Sequence, residues 1–190
     1  MKIAIIGAHG TGKTALSHML ATQCEKLGHK YTLLGDVFKD CLFPGYDELT
    51  IDGAYWLVAE QISRELRAKA FGYEVVICNR STIDPIMYLN TRDFKQSFGD
   101  LTQFAEKWMA TYDVILYATP SEGEFVSTDP MTMYQEKVDT EFNLYLESIF
   151  INYLKTNIYR ISSDDIFTYD VAQILRTVAG DEEWTRQLLG

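Results

Sequence analysis

Ile3-Ala4-Ile5-Ile6-Gly7-Ala8-His9-Gly10-Thr11-Gly12-Lys13-Thr14-Ala15 is the stretch that decides the fold of this 190-residue chain. Four apolar residues closed by glycine predict a short buried strand over 3–6. From Lys13 onward Leu16, Met19, Leu20 and Cys24 take up helical spacing, and Gly28 stands where a left-handed residue would close that helix. Between strand and helix, Gly7, Gly12, Lys13 and Thr14 fill every fixed position of G-x-x-x-x-G-K-[ST]. Glycines let the backbone turn its N–H groups inward around an anion, and the helix start adds the positive end of its dipole. The loop is therefore predicted to bind the phosphates of ATP with Mg²⁺, through Gly7, Ala8, His9, Gly10, Thr11, Gly12, Lys13, Thr14 and Ala15. In that arrangement Lys13 reaches the β and γ phosphates and the Thr14 hydroxyl ligates the metal.

Outward from this loop, strands and helices alternate. Further strands are predicted over 30–34, 74–78, 113–117 and 159–162, the second of these carrying the continuous Val-Val-Ile pattern of a sheet covered on both faces. Helices are predicted over 53–70, 85–89, 101–109, 130–156 and 169–178, with a last short one beginning near Asp181-Glu182-Glu183. This order predicts an α/β, three-layer sandwich: about five strands in a mostly parallel sheet, helices on both faces, and chemistry at the carboxyl ends of the strands.

With 47% apolar residues and 4 prolines, the chain has the material for one domain over 1–190. No apolar run approaches the roughly 20 residues of a spanning helix, and the amino terminus lacks a secretory pattern. Cys24, Cys41 and Cys78 are odd in number and without paired metal spacing, which predicts structural thiols in a reducing, cytoplasmic setting. His18 and His29 lack ligand neighbours and receive no role. An excess of 27 acidic over 17 basic residues, net charge −10, disfavours stable binding to duplex nucleic acid. A monomer or a homodimer fits equally.

Two more stretches bear on chemistry. Asp36-Val37-Phe38-Lys39-Asp40 follows the second strand, and Asn79-Arg80-Ser81-Thr82-Ile83-Asp84-Pro85-Ile86-Met87-Tyr88 follows the third. Together with the loop, these resemble the small P-loop kinases of nucleosides and nucleotides, nearest the nicotinamide riboside kinase-like branch and more distantly the deoxynucleoside and thymidylate kinases. The resemblance spans most of the chain in element order, though only the first motif is highly specific. It implies an ATP-dependent phosphotransferase with a small nucleoside, nucleotide or related acceptor. It makes Lys13 catalytic, Asp36 a general base for the acceptor hydroxyl or a water-mediated Mg²⁺ ligand, and Arg80 the group that neutralises phosphate or positions the acceptor. On the residues alone, Asp36 as a simple loop cap and Arg80 as a surface salt bridge stay open.

The chain departs from that family in two places. Asn79 stands where an acid is usual, so metal binding leans on Thr14, phosphates, water and Asp36 or Asp84. A lid-like segment around 119–135 would carry arginines in such kinases, whereas here no arginine lies between Arg92 and Arg160, and Lys137 is the substitute at hand. Tyr46, Tyr55, Trp56 and Gln61 are candidates for a nucleobase pocket, with packing into the core as the other reading. Ser162-Ser163 fits either an adenine rest or a helix cap. Two other uses of the loop remain at this level: transfer to a nucleic-acid 5′ end or modified base, and a nucleotide-dependent switch. The acidic charge argues against the first. Tyr117-Ala118-Thr119-Pro120 lacks the N-K-x-D of a guanine-specific switch, while the missing lid arginines favour a switch.

Overall fold

Five strands, β1 (Lys2–Ile6), β2 (Tyr31–Leu34), β3 (Val75–Asn79), β4 (Val114–Thr119) and β5 (Asn157–Ser162), pair in the spatial order β2-β3-β1-β4-β5. Every pairing among the described residues is parallel. The structure is a computed structural model that describes residues 1–43, 49–90, 99–120, 140, 144, 157–180 and 182–189. Seven helices are defined there: α1 (Lys13–Lys26), α2 (Ile51–Ala70), α3 (Asp84–Asn90), α4 (Gly99–Met109), α5 (Ser163–Thr168), α6 (Val171–Ala179) and α7 (Glu183–Leu189).

The unbroken apolar strands are explained by helices on both faces. Ala4, Ile6, Val76, Cys78, Ile115 and Tyr117 pack with Leu57 and Val58 of α2 and with residues of α3 and α4. The alternate residues Ile3, Ile5, Val75, Ile77, Val114 and Leu116 pack with Leu16 and Leu20 of α1 and Ile174 and Leu175 of α6. Period 2 along the central strands thus serves two cores at once.

Helix ends follow local chemistry. Gly28 takes φ +74, and the His29 N–H reaches the Cys24 carbonyl at 3.0 Å, so α1 closes as its sequence predicts. Helix α2 starts two residues earlier than expected because Thr50, not Gly53, is its cap: Thr50 Oγ1 accepts from the Gly53 N–H at 3.1 Å. The stretch after β2, outside every predicted strand and helix, holds a 3₁₀ turn over Val37–Asp40. Helix α5 was not anticipated; Ser162 caps it by accepting from the Asp164 N–H at 3.2 Å, so the helix-cap reading of Ser162 fits. Apart from Thr140 and Leu144, which are helical, the expected helix over 130–156 lies outside the described residues, as do 121–135 of the lid-like segment, Tyr46, Arg92 and Lys137.

At the amino ends of the strands, Glu65 of α2 is buried and accepts from Lys2 Nζ at 2.6 Å, Gln61 Nε2 at 2.8 Å, Trp108 Nε1 at 2.7 Å and Tyr112 Oη at 2.6 Å. Four donors on one carboxylate offset its desolvation and tie α2 to β1, α4 and the start of β4. Gln61 is committed there, which removes it from a nucleobase pocket at the opposite end of the sheet. Trp56 packs against the core, as the packing reading expects, whereas Tyr55 is exposed and takes no part in that core. Cys24 and Cys78 are buried, unpaired thiols, and burial pushes the Cys24 thiol up to about 11. No helix among the described residues is long and apolar enough to cross a membrane.

Candidate active site

The loop after β1 is shaped by three glycines with positive φ: Gly7 at 137°, Gly10 at 84° and Gly12 at 84°. Gly7 also admits no side chain, because a Cβ there would lie 2.2 Å from the Ala118 carbonyl oxygen of β4. Gly12 is the first-turn cap of α1 and makes no side-chain cap bond, and that turn carries no acidic residue. Backbone amides at the helix start are thereby presented toward the loop's concave side, the donor set a phosphate requires.

Lys13 folds back into this loop. It is buried, and its Nζ donates to the Ala8 carbonyl, which also accepts from Thr11 Oγ1 at 3.0 Å. Burial lowers the Lys13 ammonium to about 7; the Arg80 charge adds to the depression and Asp84 and Asp36 oppose it. A phosphate chain beside Lys13 restores its charge. Between about pH 7 and the ordinary lysine value near 10.5, ATP binding should therefore take up a proton. Titration calorimetry near pH 8.5 in buffers of different ionisation enthalpy should show an uptake that disappears in Lys13→Ala.

The Thr14 hydroxyl oxygen, exposed at the helix start, accepts from Asn79 Nδ2 at 3.1 Å. Asn79 Oδ1 is buried and has no hydrogen-bond partner among the described residues. No cluster of three or more His, Cys, Asp or Glu suited to a metal exists among the described residues. Hard oxygen donors without a carboxylate cage fit a Mg²⁺ carried largely by nucleotide phosphates and water, for which Thr14 and Asp36 are the candidate protein ligands.

Asp36, Arg80 and Asp84 gather beside the loop. Arg80 is 1% exposed, which removes the surface salt-bridge reading. Its Nε donates to Asp36 Oδ2 at 3.2 Å, and its Nη1 lies 3.2 Å from Asp84 Oδ1, 3.3 Å from the Gly7 carbonyl and 3.4 Å from Tyr88 Oη. The guanidinium also stacks over Phe38, 4.9 Å from its centroid, and 5.6 Å from that of Tyr88. Arg80 has φ 115°, the single positive value at a non-glycine among the described residues, a conformation that persists only where surroundings hold it.

Asp36 follows its loop-cap reading and is also paired with Arg80. Its Oδ1 caps the 3₁₀ turn by accepting from the Phe38 N–H at 3.0 Å, while Oδ2 takes Arg80. Asp84 is fully buried and accepts from the Ser81 N–H and Ser81 Oγ, each at 2.8 Å. Burial raises its carboxyl, against the lowering effects of Arg80, Lys13 and Ser81. These commitments make Asp84 a brace for Arg80 rather than a metal ligand, a role its place four residues on made readable in sequence.

A parallel sheet ordered 2-3-1-4-5 with this loop after its central strand defines a P-loop NTPase. A family model described as an AAA domain matches residues 2–158, and the chain belongs to that family. No curated protein sequence matches the chain. Among solved structures, deoxyadenosine kinase from M. mycoides with bound dATP aligns at TM-score 0.60 and 14% identity, covering 93% of this chain and 96% of that one. The same enzyme with products dCMP and a flexible dCDP bound gives 0.60 and 13%, covering 93% and 97%. Thymidylate kinase from Ehrlichia chaffeensis gives 0.61 and 19%, covering 90% of each chain. The chain therefore shares the fold of nucleoside and nucleotide kinases.

Proposed function

We propose that this protein is an ATP-dependent phosphotransferase acting on a nucleoside, nucleotide or related small metabolite. The observation that carries the reading is the meeting of a phosphate loop and an acceptor-side carboxylate at one sheet edge. Arg80 touches both, with 3.3 Å to the Gly7 carbonyl and 3.2 Å to Asp36 Oδ2. The fold shared with a deoxyadenosine kinase and a thymidylate kinase supports a nucleobase-bearing acceptor.

In this reading the loop amides and α1 bind the phosphates, and Lys13 leaves the Ala8 carbonyl to stabilise charge on the transferring group. Thr14 holds the metal, whose chemistry is neutralisation of phosphate charge. Asp36 orients the acceptor hydroxyl and takes its proton as transfer proceeds. An asparagine at position 36 retains an Oδ1 that caps Phe38, yet cannot accept a proton. Asp36→Asn should accordingly lower turnover about tenfold or more while ATP affinity stays within about threefold. Paired measurements of kcat and ATP Kd check this, and a collapse of ATP binding would make Asp36 a metal residue instead.

The reading is tested by following γ-labelled phosphate from ATP into a panel of nucleosides, nucleoside monophosphates and a DNA 5′ end, with products separated by chromatography. Label in a small acceptor is expected. Label confined to DNA, or to inorganic phosphate regardless of acceptor, would refute the small-acceptor assignment.

A further inference from the structure

We propose that Arg80 is a positioning residue: it locks the first carbonyl of the phosphate loop and the Asp36 carboxylate into one unit and does not itself touch the transferred phosphoryl group. Three observations carry this. First, the side chain is 1% exposed and its geometry is filled by protein groups, Asp36, Asp84, the Gly7 carbonyl and Tyr88, with Phe38 against its face. A buried guanidinium whose Nε and Nη1 face two carboxylates, a carbonyl and a phenol is held by protein groups rather than presented to a passing phosphate. Second, its backbone is held at φ 115°, and its N–H donates to the Ile5 carbonyl at 3.1 Å. Such a conformation at a non-glycine residue is kept where one orientation of the side chain is required. Third, the partners come from separate elements: Gly7 follows β1, Asp36 follows β2, and Asp84 and Tyr88 lie on α3. One planar fork therefore fixes the register between the nucleotide side and the acceptor side, which a lysine's single ammonium cannot do.

Two measurements test the proposal, and only the second rests on the phosphotransfer reading. The first is affinity for fluorescent N-methylanthraniloyl-ADP, which lacks the transferred phosphoryl group. Arg80→Gly suits the backbone at φ 115° and removes the fork. Once its fold is verified by circular dichroism, it should bind the analogue at least about tenfold more weakly, and millimolar guanidinium should restore at least about half of the loss in free energy. Should that variant not fold, Arg80→Lys takes its place, with a loss of about threefold or more. Affinity within about twofold of wild type in a folded variant would overturn the proposal, because a residue that only touched the transferred group would leave ADP binding untouched.

The second measurement is a double-mutant cycle with Asp36→Asn. At saturating ATP, where the loop contact no longer counts, Arg80 acts on turnover through Asp36, so Arg80→Lys combined with Asp36→Asn should transfer no more slowly than the slower single variant, within about twofold. Losses that multiply would mean independent action and overturn the claim. If wild type transfers phosphate to nothing, the phosphotransfer reading fails while the ADP measurement still decides the link between Arg80 and the loop.

Discussion

Replacing Lys13 with alanine is expected to lower phosphoryl transfer at least about a hundredfold without lowering the melting temperature. The first half follows from charge. Lys13 is the cation that reaches the concave side of the loop from the first turn of α1, and its loss removes the stabilisation of charge that develops on the transferring phosphoryl group. The second half follows from burial. In the unliganded protein the ammonium is desolvated, and its direct hydrogen bonds are to the Ala8 carbonyl and, at 3.5 Å, Thr11 Oγ1. Removing a group whose charged form is disfavoured there, with its pKa at about 7, costs the fold little. Steady-state kinetics and a thermal melt on the same preparation check both parts. A near-normal rate would refute the assignment of Lys13, and a large loss of stability would make any rate loss uninterpretable as catalysis.

Gly7→Ala should have the largest effect on the molecule as a whole. The added Cβ would sit 2.2 Å from the Ala118 carbonyl oxygen and 3.2 Å from its carbon, at φ +137°. Neither side can yield easily. Ala118 belongs to β4 and pairs with Ile161 of β5, and the Gly7 carbonyl is bonded to Arg80. A destabilisation of about 3 kcal/mol or more is expected from overpacking and strain together, with loss of nucleotide binding. Gly28→Ala provides the comparison. Its φ of +74° carries strain, but no atom lies within 4 Å of the added carbon. Urea unfolding should place that variant about 1 kcal/mol below wild type. Equal losses at the two positions would show that backbone strain alone, and not the approach of β4, sets the requirement for glycine at position 7.

The parts of the protein that were legible in sequence are those where local chemistry and tertiary context agree. The strand, loop and helix from Lys2 to Lys26 satisfy one another, since each glycine of the motif meets a backbone demand and each apolar residue meets a core. Boundaries went astray where a polar residue did the capping. Thr50 rather than Gly53 starts α2, and Ser162 starts a helix whose six residues are too few to show a period. Gln61 misled in a different way: its type suits a base edge, but only the fold brings Glu65 and its other donors around it.

The acceptor side was half legible. Asp36 and Arg80 could be singled out by their places after two strands, but not their mutual contact, because β2 and β3 become neighbours only in the sheet. The one local signal that the arginine is buried is Asp84, four residues after Arg80, which pairs with a guanidinium that is 1% exposed. Asn79 reads in sequence as a missing charge. In the structure it is an oriented amide whose nitrogen donates to the Thr14 hydroxyl.

The central claim, transfer from ATP to a small acceptor, is tested most directly by ADP release in the presence of Mg²⁺, measured by a coupled assay across nucleosides and nucleoside monophosphates. A saturable, acceptor-dependent rise in ADP with at least one member of the panel, abolished by Lys13→Ala, is the predicted result. ADP release that is the same with and without every acceptor would contradict the claim and leave a nucleotide-dependent switch as the use of the loop.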